Sequence, residues 1–174
     1  MKINRICLIL PIIALLLLSC GKNDAPATKS IMQEKIYDEQ AIAKEDIERA
    51  IVTAQQSGKR ILLMFGGNWC IWCHRLHRLL KDDPTIHQVL KKNYLLVMID
   101  VGKRDKNLDL NEKYGNPFQY GFPVLVVLEK DGSQLHTQET GSLEYTPQES
   151  SEKGHHPGRV LQFLETWAPP ASKM

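Results

Sequence analysis

Cysteine is scarce in this chain of 174 residues: there are four, and after position 20 only Cys70 and Cys73 remain. A zinc site would need about two further Cys or His ligands, usually as a second close pair. No second Cys pair exists, and His155-His156 is the only adjacent pair of histidines, which counts against zinc. An excess of one charge is lacking too, with 22 basic residues against 20 acidic ones. Such a balance implies no nucleic-acid partner. No internal repeat is visible. The longest apolar run, Ile6 to Leu18, is interrupted by Pro11 and falls short of the roughly 20 residues that a spanning helix needs. What remains has the length and apolar content of one domain plus a short appendage.

The appendage is at the N-terminus. Lys2 and Arg5 precede the apolar run, and Leu17-Leu18-Ser19-Cys20-Gly21 follows it, the pattern of a secretory signal. The tetrapeptide ending at Cys20 resembles a bacterial lipobox, which implies cleavage after residue 19 and lipid on Cys20. The expected division is a signal peptide over 1–19, a lipidated Cys20 with a flexible tether over 20–36, and a domain over 37–170. Removal of Lys2 and Arg5 would leave 20 basic against 20 acidic residues. Cys7 leaves with the signal and Cys20 is consumed by lipid, so every cysteine is accounted for. Export would put Cys70 and Cys73 in a bacterial envelope compartment where disulfides persist. Gly21 in place of Asp after the lipidated Cys favours the outer membrane by the enteric sorting rule.

The chain is organised around Gly66-Gly67-Asn68-Trp69-Cys70-Ile71-Trp72-Cys73-His74, which follows the apolar run Ile61-Leu62-Leu63-Met64-Phe65. It reads as strand, tight turn and helix. Cys70 at a helix start would have its thiolate stabilised by free backbone N–H groups and the positive end of the helix dipole. Cys73, one turn later, can close a disulfide with it. A bare C-x-x-C is also compatible with half a zinc site, a structural disulfide or, with His74, a c-type haem attachment motif. Haem would call for a largely helical surround, whereas three β-type runs dominate this chain.

Around the motif, Ile47, Ala50, Ile51 and Ala54 recur at helical spacing, and Gly58 supplies a stop, predicting a helix from about Ala41 to Ser57. Ile61–Phe65 is apolar on both faces, as in a strand covered by helices on both sides. The helix from about Cys70 to Lys81 would turn Trp72, Leu76, Leu79 and Leu80 inward and His74, Arg75, His77 and Arg78 toward solvent. Asp83 reads as an N-cap and Pro84 as the first residue of a further helix facing inward through Ile86, Val89 and Leu90. Tyr94–Val101 is a second buried strand, followed by a loop and short helix over Lys103–Tyr114. Gly121-Phe122-Pro123 leads into a third strand, Val124–Leu128, and Asp131-Gly132 turns the chain back as an edge strand around Gln134–Thr140. Gly141 to His156 lacks periodicity and reads as an inserted loop. Val160, Leu161, Phe163, Leu164 and Trp167 predict a closing amphipathic helix.

Trp69-Cys70-Ile71-Trp72-Cys73 after a buried strand, with Gly121-Phe122-Pro123 ahead of another, resembles the thioredoxin superfamily over roughly Tyr37 to Trp167. Gly58-Lys59 before the first strand and Asp83-Pro84 are similar to the thioredoxin-like domains of envelope thiol reductases, including the C-terminal domain of DsbD. The resemblance implies an α/β fold with a central mixed β-sheet flanked by helices on both faces. It implies that Pro123 is cis and, with Trp69 and Phe122, contacts substrate. It also implies that Cys70 is the nucleophile and Cys73 the resolving thiol of a redox disulfide. Where many thioredoxins have a buried acid six residues before the first cysteine, this chain has Met64, and His74 is the candidate for proton transfer in its place.

The function expected is thiol–disulfide exchange, reducing protein disulfides as substrates with an upstream envelope thiol as electron source. The dithiol itself is the redox group, so no cofactor and no metal is expected. The rival reading is a Cu(I) binding or delivery module using the same dithiol with His74 nearby. Tight Cu(I) binding without catalysed disulfide reduction would favour it. Because Ile71 and Trp72 carry no charge, the thiolate should be only moderately stabilised, which points to the reducing side of the potential range.

Overall fold

The computed structural model describes residues 34–170. The signal, Cys20 and most of the tether lie outside them. The helix α1 spans Ala43–Ser57, and Gly58 ends it in the left-handed region at φ 68°, donating its N–H to the Ala54 carbonyl at 2.8 Å. That conformation is readily adopted by glycine. The strand β1 is Arg60–Gly66, and α2 (Ile71–Asp82) and α3 (Pro84–Asn93) follow. The junction between these helices is set by Asp83, whose carboxylate accepts from the N–H groups of Thr85 and Ile86 at 3.0 Å. A cap of this kind contributes about 1 kcal/mol. The chain continues through β2 (Tyr94–Asp100), α4 (Leu108–Lys113), a 3-10 turn over Pro117–Tyr120, β3 (Val124–Leu128), β4 (Gln134–Glu139) and α5 (Pro157–Thr166).

The described residues form one four-stranded sheet in the order β2-β1-β3-β4. β1 runs parallel to β2 and antiparallel to β3, and β4 pairs antiparallel at the edge. Alternation along β1 splits the core. Leu62 and Met64 face α2, α3 and α5, while Ile61, Leu63 and Phe65 face α1 and α4. All five are fully buried, so the continuous apolar run is that of a central strand covered on both sides. Truncating one such Leu to Ala costs about 2–5 kcal/mol.

Three features differ from the sequence reading. The sequence places residues 34–36 in the tether, yet Ile36 packs against the core and its N–H is bonded to Asn68. The helical side read as basic and solvated is not uniform: His74 is buried, Arg75 and His77 are half-buried, and only Arg78 is exposed. The loop 141–156 has a tied base, with a bridge between Glu144 and His155 and the His156 N–H on the Leu143 carbonyl at 2.7 Å. Apolar Leu143 anchors one end of it in the core.

Candidate active site

The end of β1 at Gly66 delivers the chain into a tight turn from Gly67 to Cys70, closed by the Cys70 N–H on the Gly67 carbonyl at 3.0 Å, and Cys70 becomes the N-cap of α2. Its Sγ accepts the Cys73 backbone N–H at 3.1 Å. Cys70 and Cys73 are joined as a disulfide, their Cα atoms 5.2 Å apart. Cys73 is sealed from solvent at 0% exposure, and Cys70 reaches it at 5%. Gly66 has no side chain because there is no room for one: a Cβ there would lie 2.5 Å from Cys73 Sγ, with the Tyr37 hydroxyl as its other near neighbour.

Trp69 stands 49% exposed beside the motif. Its indole N–H donates to the Gly102 carbonyl, and its ring meets Phe122 edge-on at 5.9 Å. That contact sets the Phe122–Pro123 segment, whose peptide bond is cis, against the loop carrying Cys70. The Thr140 hydroxyl secures the segment from behind by donating to the Pro123 carbonyl. Arg104 covers the Phe122 ring at 5.1 Å. Trp72 lies half-buried, between the Arg75 guanidinium at 4.8 Å and the edge of His155 at 5.7 Å.

His74 does not face solvent. Its Nε2–H donates to the Asn68 carbonyl at 2.9 Å, so the side of α2 that the sequence suggests is wet is instead tied back onto the turn before it. Met64 is fully buried, and no carboxylate takes the place it occupies on β1. The two adjacent histidines diverge: His155 packs on Trp72, whereas His156 Nδ1 accepts the Gly158 N–H at 3.1 Å at the start of α5.

Asn68 is a site residue that sequence reasoning missed. Its Oδ1 accepts the N–H groups of Ile36 and Tyr37, each at 3.0 Å, and its Nδ2 donates to the Tyr37 carbonyl and to Glu39. One side chain thereby docks the N-terminal segment onto the dithiol turn. Tyr37 was missed as well. Its ring is 1% exposed, and its hydroxyl is buried without a hydrogen-bond partner among the described residues. Burial first, and the Asp100 carboxylate second, push that hydroxyl well above the ordinary tyrosine range. Asp100 is itself held by the Lys106 ammonium at 2.9 Å.

A family model described as thioredoxin-like matches residues 41–130. The chain belongs to the thioredoxin-like family. With its C-x-x-C pair present as a disulfide, it is a thiol–disulfide oxidoreductase. Among solved structures it is similar to a disulphide isomerase from Xylella fastidiosa Temecula1, with 32% identity, coverage of 76% of this chain and 96% of that one, and a TM-score of 0.65. A thioredoxin from Thermus thermophilus shares 18% identity over 68% of this chain and 81% of its own, at a TM-score of 0.50, a likeness of fold. The DsbD C-terminal domain of Neisseria meningitidis in its oxidised form matches at 20% identity over 71% and 95% of the two chains, with a TM-score of 0.49. No curated protein matches the chain.

Proposed function

We propose that this chain reduces protein disulfides in the bacterial cell envelope, with Cys70 as the attacking thiolate and Cys73 as the resolving thiol. The observation that carries the assignment is the placing of Cys70 Sγ at the N-cap of a twelve-residue helix, where it accepts the Cys73 N–H. A sulfur at that position gains from the helix dipole and from a backbone donor when it is anionic. Cys73, with no exposure, meets only a sulfur already bound to Cys70. Trp69 and Phe122, packed edge to face beside the motif, and Pro123 next to them form the surface on which a substrate strand would lie. His74 is assigned to positioning rather than to proton transfer, since its Nε2 is engaged by Asn68 inside the fold.

The direction of electron flow follows from the residues between the cysteines. Ile71 and Trp72 bring no charge to the thiolate, so the reduced form has less support than in strong oxidants. Disulphide isomerisation, the activity for which the Xylella relative is named, also starts from attack by a reduced thiolate. The signal over 1–19, lipid on Cys20 and the tether that follows would place the domain on the periplasm-facing side of a membrane, favouring the outer one, and an upstream envelope thiol would re-reduce it.

The test is to trap substrates with Cys73→Ala in the native envelope. The variant should accumulate mixed disulfides through Cys70, identifiable by mass spectrometry, and their absence would contradict the reading. A mass measurement on membrane-extracted protein checks the anchor: Cys20 should carry acyl chains, and an unmodified mature N-terminus excludes them.

A further inference from the structure

The resolving step poses a problem that the dithiol alone does not solve. Cys73 Sγ must become an anion inside a pocket closed to solvent, and burial in apolar surroundings raises a thiol's pKa. Met64 offers it no polar group. In this pocket one polar side-chain atom does sit near the sulfur, the Tyr37 hydroxyl. It and Cys73 Sγ both lie within 2.5 Å of the point that a Gly66 Cβ would occupy, so they are at most twice that distance apart. Among the described residues the hydroxyl has no hydrogen-bond partner in the disulfide form. A buried donor left unmatched is unfavourable and calls for an explanation.

We infer that the Tyr37 hydroxyl is the hydrogen-bond donor that supports Cys73 as a thiolate during the resolving step. This rests on the assignment of Cys73 as the resolving thiol. In the oxidised protein both sulfurs are committed to the S–S bond and the hydroxyl waits unpartnered. Once that bond is cleaved, rotation about the Cys73 Cα–Cβ bond can bring Sγ to the hydroxyl. A phenol that keeps its proton is suited to donate, and burial together with the neighbouring Asp100 carboxylate keeps the proton on Tyr37. The hydroxyl therefore supplies a hydrogen bond and does not take the thiol's proton.

The step balances as follows. Cys70 has already attacked a substrate disulfide, forming a mixed disulfide and expelling one substrate thiolate, which is protonated by water. Cys73 gives up its S–H proton, which ends on the substrate sulfur that leaves, and its electron pair forms the bond to Cys70 Sγ. The bond between Cys70 and substrate breaks with its pair on the substrate sulfur, which leaves and takes up a proton. Two electrons pass from the dithiol to the substrate disulfide. Tyr37 is proposed to act by hydrogen bonding the sulfur being ionised, and Asn68 fixes the backbone on either side of it through the Tyr37 N–H and carbonyl, at 3.0 Å each.

Stopped-flow reaction of the reduced full chain with dithiobis(nitrobenzoic acid) separates the two steps, since each releases one coloured thiolate. Tyr37→Phe should leave the first release unchanged and slow the second about tenfold, the loss of one hydrogen bond to a charged group. The pH midpoint of the second release should rise by about one unit, the same tenfold. Equal slowing of both releases, or an unmoved midpoint, overturns the inference. NMR of the unsubstituted reduced protein is an independent check should the variant not fold: the Tyr37 ring resonances must follow the titration of Cys73, and indifference to it overturns the role. Cys73→Ala distinguishes this failure from failure of the cysteine assignment, because in that variant the second release must vanish whatever Tyr37 does.

Discussion

The ring of His155 stands edge-on to Trp72 at 5.7 Å and 86°, 4% exposed and with neither ring nitrogen partnered among the described residues. Burial first, and the nearby Arg75 charge second, lower its pKa from the ordinary 6.5 to about 4. Between these values the unfolded chain binds a proton that the folded one refuses, so stability rises with pH across this window and falls as the solution is acidified through it. His77, half-buried, is shifted the same way by burial. Urea unfolding at neutral pH and near pH 4 should therefore differ by on the order of 3 kcal/mol from His155 alone. His155→Phe should remove most of that slope, and an unaltered slope contradicts the assignment.

Cys70→Ser is expected to abolish disulfide exchange and to leave the far-ultraviolet circular dichroism of the fold in place. The serine hydroxyl can still accept at the helix start, and the core is built from β1, β3 and the helices around them. Turnover of a small disulfide in that variant would contradict the role of Cys70 as nucleophile.

Equilibration with glutathione buffers should return a potential well below about −150 mV, nearer to thioredoxin than to the strong oxidants. The physical ground is the pair of uncharged residues between the cysteines, Ile71 and Trp72. A value above that limit would make the chain an oxidase.

Asn68→Ala removes the acceptor of the Ile36 and Tyr37 N–H groups and the donor to the Tyr37 carbonyl. It should lower stability by about 2–4 kcal/mol, near the net worth of these bonds. Hydrogen exchange at the Ile36 and Tyr37 amides should accelerate more than in β1. Equal protection before and after substitution would show that the segment is held by something else.

Much of the architecture is written in local pattern. The period of Ile47, Ala50 and Ala54 marks α1, the Asp83-Pro84 pair marks the start of α3, and the unbroken apolar run Val124–Leu128 coincides with β3. The C-x-x-C spacing after a buried strand places a dithiol at a helix start, and the resemblance carried by Gly121-Phe122-Pro123 includes the cis bond that the structure has. These features depend on residues within a turn or two of one another, which is the range over which sequence periodicity speaks.

Other features depended on which distant segments come together. His74 looks solvent-facing along its helix, but the turn at Asn68 folds over it and takes its ring N–H. Tyr37 is 31 positions from Asn68, and nothing near it in sequence announces that its hydroxyl will be buried beside Cys73. The loop 141–156 has no periodicity, yet its base carries His155 to the flank of Trp72. Side-chain periodicity reports which face of an element is apolar. Which partner covers that face, and which polar atom is thereby left without water, is decided only when the sheet is assembled and the segments close around it.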